Sequence, residues 1–289
     1  MILITGSTGF IGTYLVKNFT KDIITNLNHQ NKYQRNGFQL SKEVCRELNI
    51  TSVILLGGIT KFPLIRNNPD LAFDVNVTKL KKTIDNLLSL GLHITFISSE
   101  SVFDGTRGFY SEEDETSPVF FYGYMKQIIE DHLIKSKMHN LYSILRISKV
   151  YCPKLSSNSL ISDHLKLLGK SCPYPIVDDL YTNPIDLETV CKAIYRISSK
   201  KLSGIFHLGG KDVVSRKEII EIINNYLLEN KLVHHSINAE YTSRLNIPNF
   251  EFLPFNTSLK CERSLKKLDL KNTSLINFMK ISINKYLKI

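Results

Sequence analysis

A short apolar run, Ile2-Leu3-Ile4-Thr5, leads directly into Gly6-Ser7-Thr8-Gly9-Phe10-Ile11-Gly12. An apolar run of this length ending in glycine predicts a buried strand, and Phe10 to Phe19 carry apolar residues at helical spacing. Three glycines spaced by three between a strand and a helix permit a tight turn. They also permit close approach of backbone to a pyrophosphate, with the amides and partial positive charge of the helix N-terminus facing the anion. Gly6, Thr8, Gly9, Phe10, Ile11 and Gly12 are therefore candidate contacts to the phosphates of a dinucleotide. The same glycines can also build a strand-to-helix turn that binds nothing.

The pattern downstream alternates. Asp22 to Thr25 reads as a second strand, residues 26–37 as a polar loop and Val44 to Leu48 as a short helix. Val53 to Gly58 reads as a buried strand. Asn68-Pro69-Asp70 opens a long amphipathic helix that stops near Gly91. A strand from His93 to Ser98, a helix from Phe120 to Lys137 and a strand from Ser143 to Val150 follow. Strands alternating with helices predict an α/β protein with a doubly wound parallel sheet covered on both faces. After Tyr151 the rhythm breaks, and Pro153, Pro173, Pro175 and Pro184 punctuate irregular stretches. A helix over 186–198, a strand over 204–208, a helix over 215–229 and a C-terminal helix are expected. Residues 1–150 read as a dinucleotide-binding domain and 151–289 mainly as a smaller, interleaved substrate lobe, with about 184–210 returning to the first domain.

Composition narrows the function classes. The chain has 43% hydrophobic and 22% charged residues, ordinary for a soluble protein. It carries no apolar run of membrane-spanning length and no basic, apolar, small-residue leader, so a cytoplasmic protein is expected. The five cysteines are scattered and none sits at metal-ligand spacing. No metal is expected, nor are the histidines spaced to hold one; the pair His234-His235 lacks a third ligand. The net charge of +10 is spread over lysines, with no arginine-rich stripe and no zinc-finger or helix-turn-helix spacing. That argues against nucleic acid and for attraction of an anionic cofactor and substrate.

Tyr122 and Lys126, in Phe121-Tyr122-Gly123-Tyr124-Met125-Lys126, are the candidate catalytic pair. Four residues apart, they share one helix face. The ammonium favours the phenolate and is expected to lower the phenol from its usual pKa of about 10. A tyrosine so tuned can donate and accept a proton near neutral pH. Tyr124, two residues from Lys126, faces elsewhere. The end of the second strand reads Asn26-Leu27-Asn28-His29, with no acid to accept a ribose hydroxyl, and Lys32 and Arg35 follow. Asn28, His29, Lys32 and Arg35 therefore favour NADP(H), with NAD(H) as the alternative.

In order along the chain stand the glycine turn, Gly57-Gly58-Ile59-Thr60, Asn68-Pro69, Asn76, Ser98-Ser99-Glu100-Ser101-Val102-Phe103-Asp104-Gly105, acids from Glu112 to Asp114, Pro118 and Tyr122-Gly123 with Lys126. This ordered set resembles the extended short-chain dehydrogenases/reductases acting on nucleotide sugars, most closely the dTDP-4-dehydrorhamnose reductase-like branch. The likeness runs from residue 1 to about 225. It implies a Rossmann domain with a C-terminal substrate lobe and NAD(P)H-dependent reduction of a 4-keto nucleotide sugar in surface-polysaccharide biosynthesis. It also implies a homodimer, the common assembly in the family. By the same resemblance Tyr122 protonates the keto oxygen and Ser99 hydrogen-bonds it. Lys126 tunes Tyr122 and holds the nicotinamide ribose, while Gly57, Gly58, Ile59 and Asn76 join the cofactor residues. Ser99, Glu100, Tyr122, Lys149 and Asn183 are implied on the substrate side. Glu100 stands where the reductases carry Asp, and Lys149 where they often carry tryptophan, which suits a different sugar with a carboxylate or phosphate. Two alternatives accompany this reading: an NAD-dependent epimerase or dehydratase, in which Glu100 joins an acid/base pair, and a non-catalytic binding subunit similar to the regulatory beta subunit of methionine adenosyltransferase.

Overall fold

The computed structural model describes residues 1–19, 21–24, 37–152, 164–168, 174–232, 236–246 and 254–287. The chain divides into two compact units. The first comprises residues 1–103, 115–147 and 191–207; the second comprises 104–114, 148–190 and 208–289.

The first unit is built on a six-stranded sheet. Strands β1 (Ile2–Thr5), β2 (Ile23–Ile24), β3 (Ser52–Leu55), β4 (His93–Ser99), β5 (Tyr142–Ile147) and β10 (Gly204–Leu208) lie in the order β2-β1-β3-β4-β5-β10. The pairs from β2 across to β5 are parallel. Every residue of β1, β3, β4 and β5 is buried. That is why these strands read as continuous apolar runs rather than alternating ones. Helix α1 (Phe10–Asn18) follows β1, and α2 (Lys42–Glu47) is capped by the Ser41 hydroxyl. Helix α3 (Phe62–Asn67) ends before Pro69. Helix α4 starts as Pro69–Phe73, loosens into a π-helical turn over Asp74–Lys79 and resumes as Leu80–Ser89. Helix α5 is Phe121–Lys135. Leu55, Ile94 and Phe96 of the sheet pack with Ile84, Met125 and Ile129 of α4 and α5 in one core.

Because β1 lies between β2 and β3, the winding direction reverses there. In open α/β sheets ligands bind outside the carboxyl ends of the strands at such a point. Strand β5 stops at Ile147 rather than continuing to Val150, since Val150–Tyr151 forms a separate strand, β6. Helix α6 (Leu187–Lys200) leads back into this unit and on to β10.

In the second unit, three two-stranded pairs occur among the described residues. Strand β6 pairs with β9 (Ile185–Asp186), β7 (Tyr174–Val177) with β12 (Ala239–Thr242), and β8 (Tyr181–Thr182) with β11 (Val214–Ser215). Helix α7 (Arg216–Glu229) opens with a reciprocal capping box between Ser215 and Glu218. Its Ile219, Ile220 and Ile223 pack with Tyr151, Ile176 and Met279. Segment 104–114 belongs here because its backbone is bonded here: Tyr110 N donates to Ser258 O at 3.0 Å, and Lys260 N to Tyr110 O at 2.8 Å. Helices α8 (Glu262–Lys267) and α9 (Leu275–Leu287) complete the unit.

Candidate active site

The glycine turn sits at the end of β1. Gly6 has φ +73°, a left-handed conformation, and a Cβ built on it would lie 2.8 Å from Gly57 N. Only glycine lets the ends of β1 and β3 come this close. Gly9 N donates to Gly6 O at 3.1 Å. A Cβ on Gly12 would overlap that same carbonyl. Gly9 is the N-cap of α1; no side chain caps it and no acid occupies the first turn. No side chain caps the amides of Phe10, Ile11 and Gly12, and Thr8 and Gly9 are exposed beside them. An uncapped helix start in an exposed glycine turn has the donors and the dipole that a pyrophosphate needs, so these residues fit a dinucleotide.

A cavity of about 550 Å³ opens at the switch point, lined by Thr5, Gly57, Gly58, Phe38, Leu71 and Lys79 among others. Asn76, in the π-helical turn of α4, does not point its amide into open space. Its Oδ1 accepts from Ile59 N and its Nδ2 donates to Ile59 O, each at 2.8 Å. It clamps the loop after β3, and Gly58 is glycine because a Cβ there would lie 2.9 Å from Asn76 Oδ1. Phe38 and Leu71 were not among the expected residues; isolated apolar residues carry no motif. Asn28, His29, Lys32 and Arg35 lie outside the described residues.

Ser99 ends β4, and the chain turns at once into a 3-10 helix, Glu100–Val102. The Ser99 hydroxyl donates to Glu100 Oε2 at 2.8 Å and accepts from Ser101 N at 3.2 Å. Tyr122 is the second residue of α5. Gly123 lets α5 start hard against this turn, since a Cβ there would overlap Ser101 O. Lys126, one turn on, donates from Nζ to Ile97 O at 2.7 Å, with Nζ 4.7 Å from the Phe96 ring centre and 5.7 Å from that of Tyr122. Both rings are within cation–π reach.

The electrostatics differ from the expectation. Burial, and after it the Glu100 carboxylate, push the Tyr122 phenol up, not down. Lys126 does not outweigh them: its ammonium is spent on the Ile97 carbonyl, and burial lowers its own pKa to about 8 against a raising influence from Glu130. Phe62 was also missed. Its ring centre lies 6.2 Å from that of Tyr122 and it is 52% exposed, an aromatic lip beside the phenol.

Two expected substrate residues belong to the second unit. Lys149 is exposed, and its carbonyl accepts from Ile185 N at 2.9 Å. Asn183 requires correction. It is 3% exposed, its Nδ2 donates to Gly210 O at 3.2 Å and Leu259 O at 2.9 Å, and its Oδ1 accepts from Leu259 N at 3.0 Å. A buried amide with both N–H donors used and its oxygen bonded ties loops together rather than facing a sugar. Among the described residues no group of three His, Cys, Asp or Glu could hold a metal, and no helix is long and apolar enough to cross a membrane.

A doubly wound parallel sheet, a glycine turn at its switch point and a Ser/Tyr/Lys set at its carboxyl edge define the class of extended short-chain dehydrogenases/reductases. Within that class the chain belongs to the family described as the RmlD substrate binding domain, whose model matches residues 1–286. Methionine adenosyltransferase 2 subunit beta of Bos taurus is 25% identical over 242 residues, covering 75% of this chain and 69% of that protein. The dTDP-4-dehydrorhamnose reductase of Sinorhizobium fredii is 24% identical over 219 residues, covering 73% and 72%. The solved dTDP-4-dehydrorhamnose reductase of Bacillus anthracis, in complex with NADP, superposes with a TM-score of 0.74 at 20% identity, covering 98% of this chain and 97% of that one.

Proposed function

We propose that the protein is an NAD(P)H-dependent reductase of a 4-keto nucleotide sugar. The observation that carries this reading is the grouping of Ser99, Tyr122 and Lys126 on the carboxyl edge of one sheet, beside the uncapped turn where Gly6 meets Gly57. Gly6 to Gly12 hold the pyrophosphate and the cavity at the switch point takes the nucleoside, with Asn76 keeping the Gly57–Ile59 loop in place. The nicotinamide, when bound, supplies the hydride. Tyr122 gives its proton to the substrate's keto oxygen. A phenol held protonated by burial suits an acid, which must arrive with its proton. Ser99 turns its hydroxyl from Glu100 to the same oxygen, so the two donors stabilise charge that grows only in the transition state. Lys126 holds the ribose and restores the proton balance at Tyr122. Lys149, exposed in the second unit, meets an anionic group of the sugar nucleotide. NADPH is the favoured reductant, because the second strand is followed by the basic Lys32 and Arg35 and by no acid; solved neighbours are complexed with NADP or with NAD.

The test is NADPH or NADH oxidation with a panel of dTDP- and UDP-linked 4-ketosugars. Tyr122→Phe is expected to cut kcat by about 10²- to 10⁴-fold with dinucleotide affinity retained. Full turnover in that variant removes Tyr122 as the acid.

A second reading is a non-catalytic subunit that acts through a partner enzyme. The likeness to methionine adenosyltransferase 2 subunit beta favours it, and so does the Ser99 hydroxyl already engaged by Glu100. Stable co-purification with a methionine adenosyltransferase, together with no oxidation of either dinucleotide on the whole panel, would establish that reading over the first.

A further inference from the structure

Behind the Ser/Tyr/Lys set lies a buried charge network that the chemistry above does not use. Tyr122, Lys126 and Glu130 recur every four residues along one face of α5. Glu130 is 1% exposed, and Ser98 Oγ donates to its Oε1 at 2.5 Å. Arg146, 3% exposed, reaches it with three bonds: Nε to Oε1 at 3.2 Å and to Oε2 at 3.1 Å, and Nη2 to Oε2 at 2.7 Å. Ser98 and Arg146 are register partners across β4 and β5, so one carboxylate ties both strands to α5. His207 of β10 stands behind, its Nε2 3.2 Å from Arg146 Nη1.

Two consecutive residues of β4 are therefore held from one helix face. Lys126 takes the Ile97 carbonyl, Glu130 takes the Ser98 hydroxyl, and the next residue is Ser99. We propose that Glu130 is a positioning residue of this site, which fixes the end of β4 that presents Ser99 and sets a carboxylate one turn from Lys126 on the same helix face. The charged and titratable groups around Lys126 are Glu130 and Tyr122 on α5, Glu100 after β4 and Arg146 on β5 with His207 behind it. Burial works against the ammonium, and the Glu130 carboxylate is the named influence in its favour. Without that carboxylate the named influence in the ammonium's favour is gone, which favours loss of the lysine's proton. A carboxylate needed only for packing would leave the lysine's titration where it was.

The inference rests on the proposed role of Lys126, and its test reads Lys126 directly. In the full chain labelled at lysine with ¹³C and ¹⁵N, the Lys126 side-chain signal is assigned by its loss in Lys126→Met and titrated by NMR. Glu130→Gln is expected to move its midpoint down by about one pH unit. Ser98→Ala, which removes the strand tie without changing charge, is expected to leave the midpoint in place. In Glu130→Gln, NADPH affinity should fall several-fold more at pH 8.5 than at pH 6.5. Should Glu130→Gln fail to fold, Glu130→Gln with Arg146→Gln removes the pair without stranding one charge, and its midpoint should still lie below that of the natural chain. An unchanged midpoint in Glu130→Gln, or in the double variant should the single one not fold, overturns the proposal. A moved midpoint in a protein that binds no dinucleotide would instead sink the reductase reading and leave Glu130's hold on Lys126 standing.

Discussion

The Tyr122 phenol lies between an ammonium one turn along its own helix and the Glu100 carboxylate after β4, and burial sides with the carboxylate. Sequence spacing alone identifies the first neighbour. It says nothing of the second, or of how little water reaches the ring. The same burial acts on Lys126 with the opposite sign, because it penalises whichever form is charged. This gives a stability test independent of any substrate. The Lys126 pKa falls from an ordinary 10.5 to about 8, so between those values the unfolded chain holds a proton that the folded chain has released. Stability from this group therefore rises with pH across the window from about 8 to 10.5. Below pH 8 the lysine is charged in both states and the burial penalty is fully felt. Chemical denaturation at pH 7 and pH 9.5 should show the natural protein gaining stability relative to Lys126→Met at the higher pH. A constant difference would mean that Lys126 titrates normally.

At the scale of elements, placement depends on close backbone approach. Helix α5 starts against the Glu100–Val102 turn only because residue 123 has no side chain. Gly123→Ala should push α5 away from the turn at a cost of about 1–3 kcal/mol, seen as a lower Tm. It should also separate Tyr122 from Ser99, so turnover falls further than stability explains. Turnover unchanged at a temperature where the variant is fully folded would contradict this. The glycine pattern of residues 6–12 was legible in sequence because its spacing is fixed by that same need for closeness. The π-helical turn that carries Asn76 was not legible: the sequence shows one amphipathic period from Pro69 to Ser89, and nothing in it marks the extra residue per turn. Asn183 misled for a related reason. An asparagine before a proline looks like a free loop residue until its amide is seen saturated by Gly210 and Leu259.

At the scale of the whole molecule, the proposed site residues fall in both units. The proposed dinucleotide residues all belong to the first, and Lys149 belongs to the second. Loading the first unit should therefore be independent of Lys149. NADPH at about 100 times its Kd should stabilise both the natural protein and Lys149→Ala by about 2.7 kcal/mol. The same variant should raise KM for the anionic sugar nucleotide about tenfold, the loss of one charge-assisted hydrogen bond. Equal KM in the two proteins would show that Lys149 stays out of the substrate site.

Ser99 was singled out only by the family resemblance. The amino-acid order alone determined the alternating parallel architecture, the glycine turn and the placing of Tyr122 and Lys126 on one helix face. Those features are written in local periodicity and spacing, which follow from the 3.6-residue turn of a helix and the steric demands of a tight turn. The charge state of the phenol, the clamp by Asn76, the buried hold of Glu130 on Ser98 and Arg146, and the grouping of segment 104–114 with the second unit were decided only in three dimensions. Each depends on desolvation or on partners distant in the chain, and neither quantity is a property of neighbouring residues.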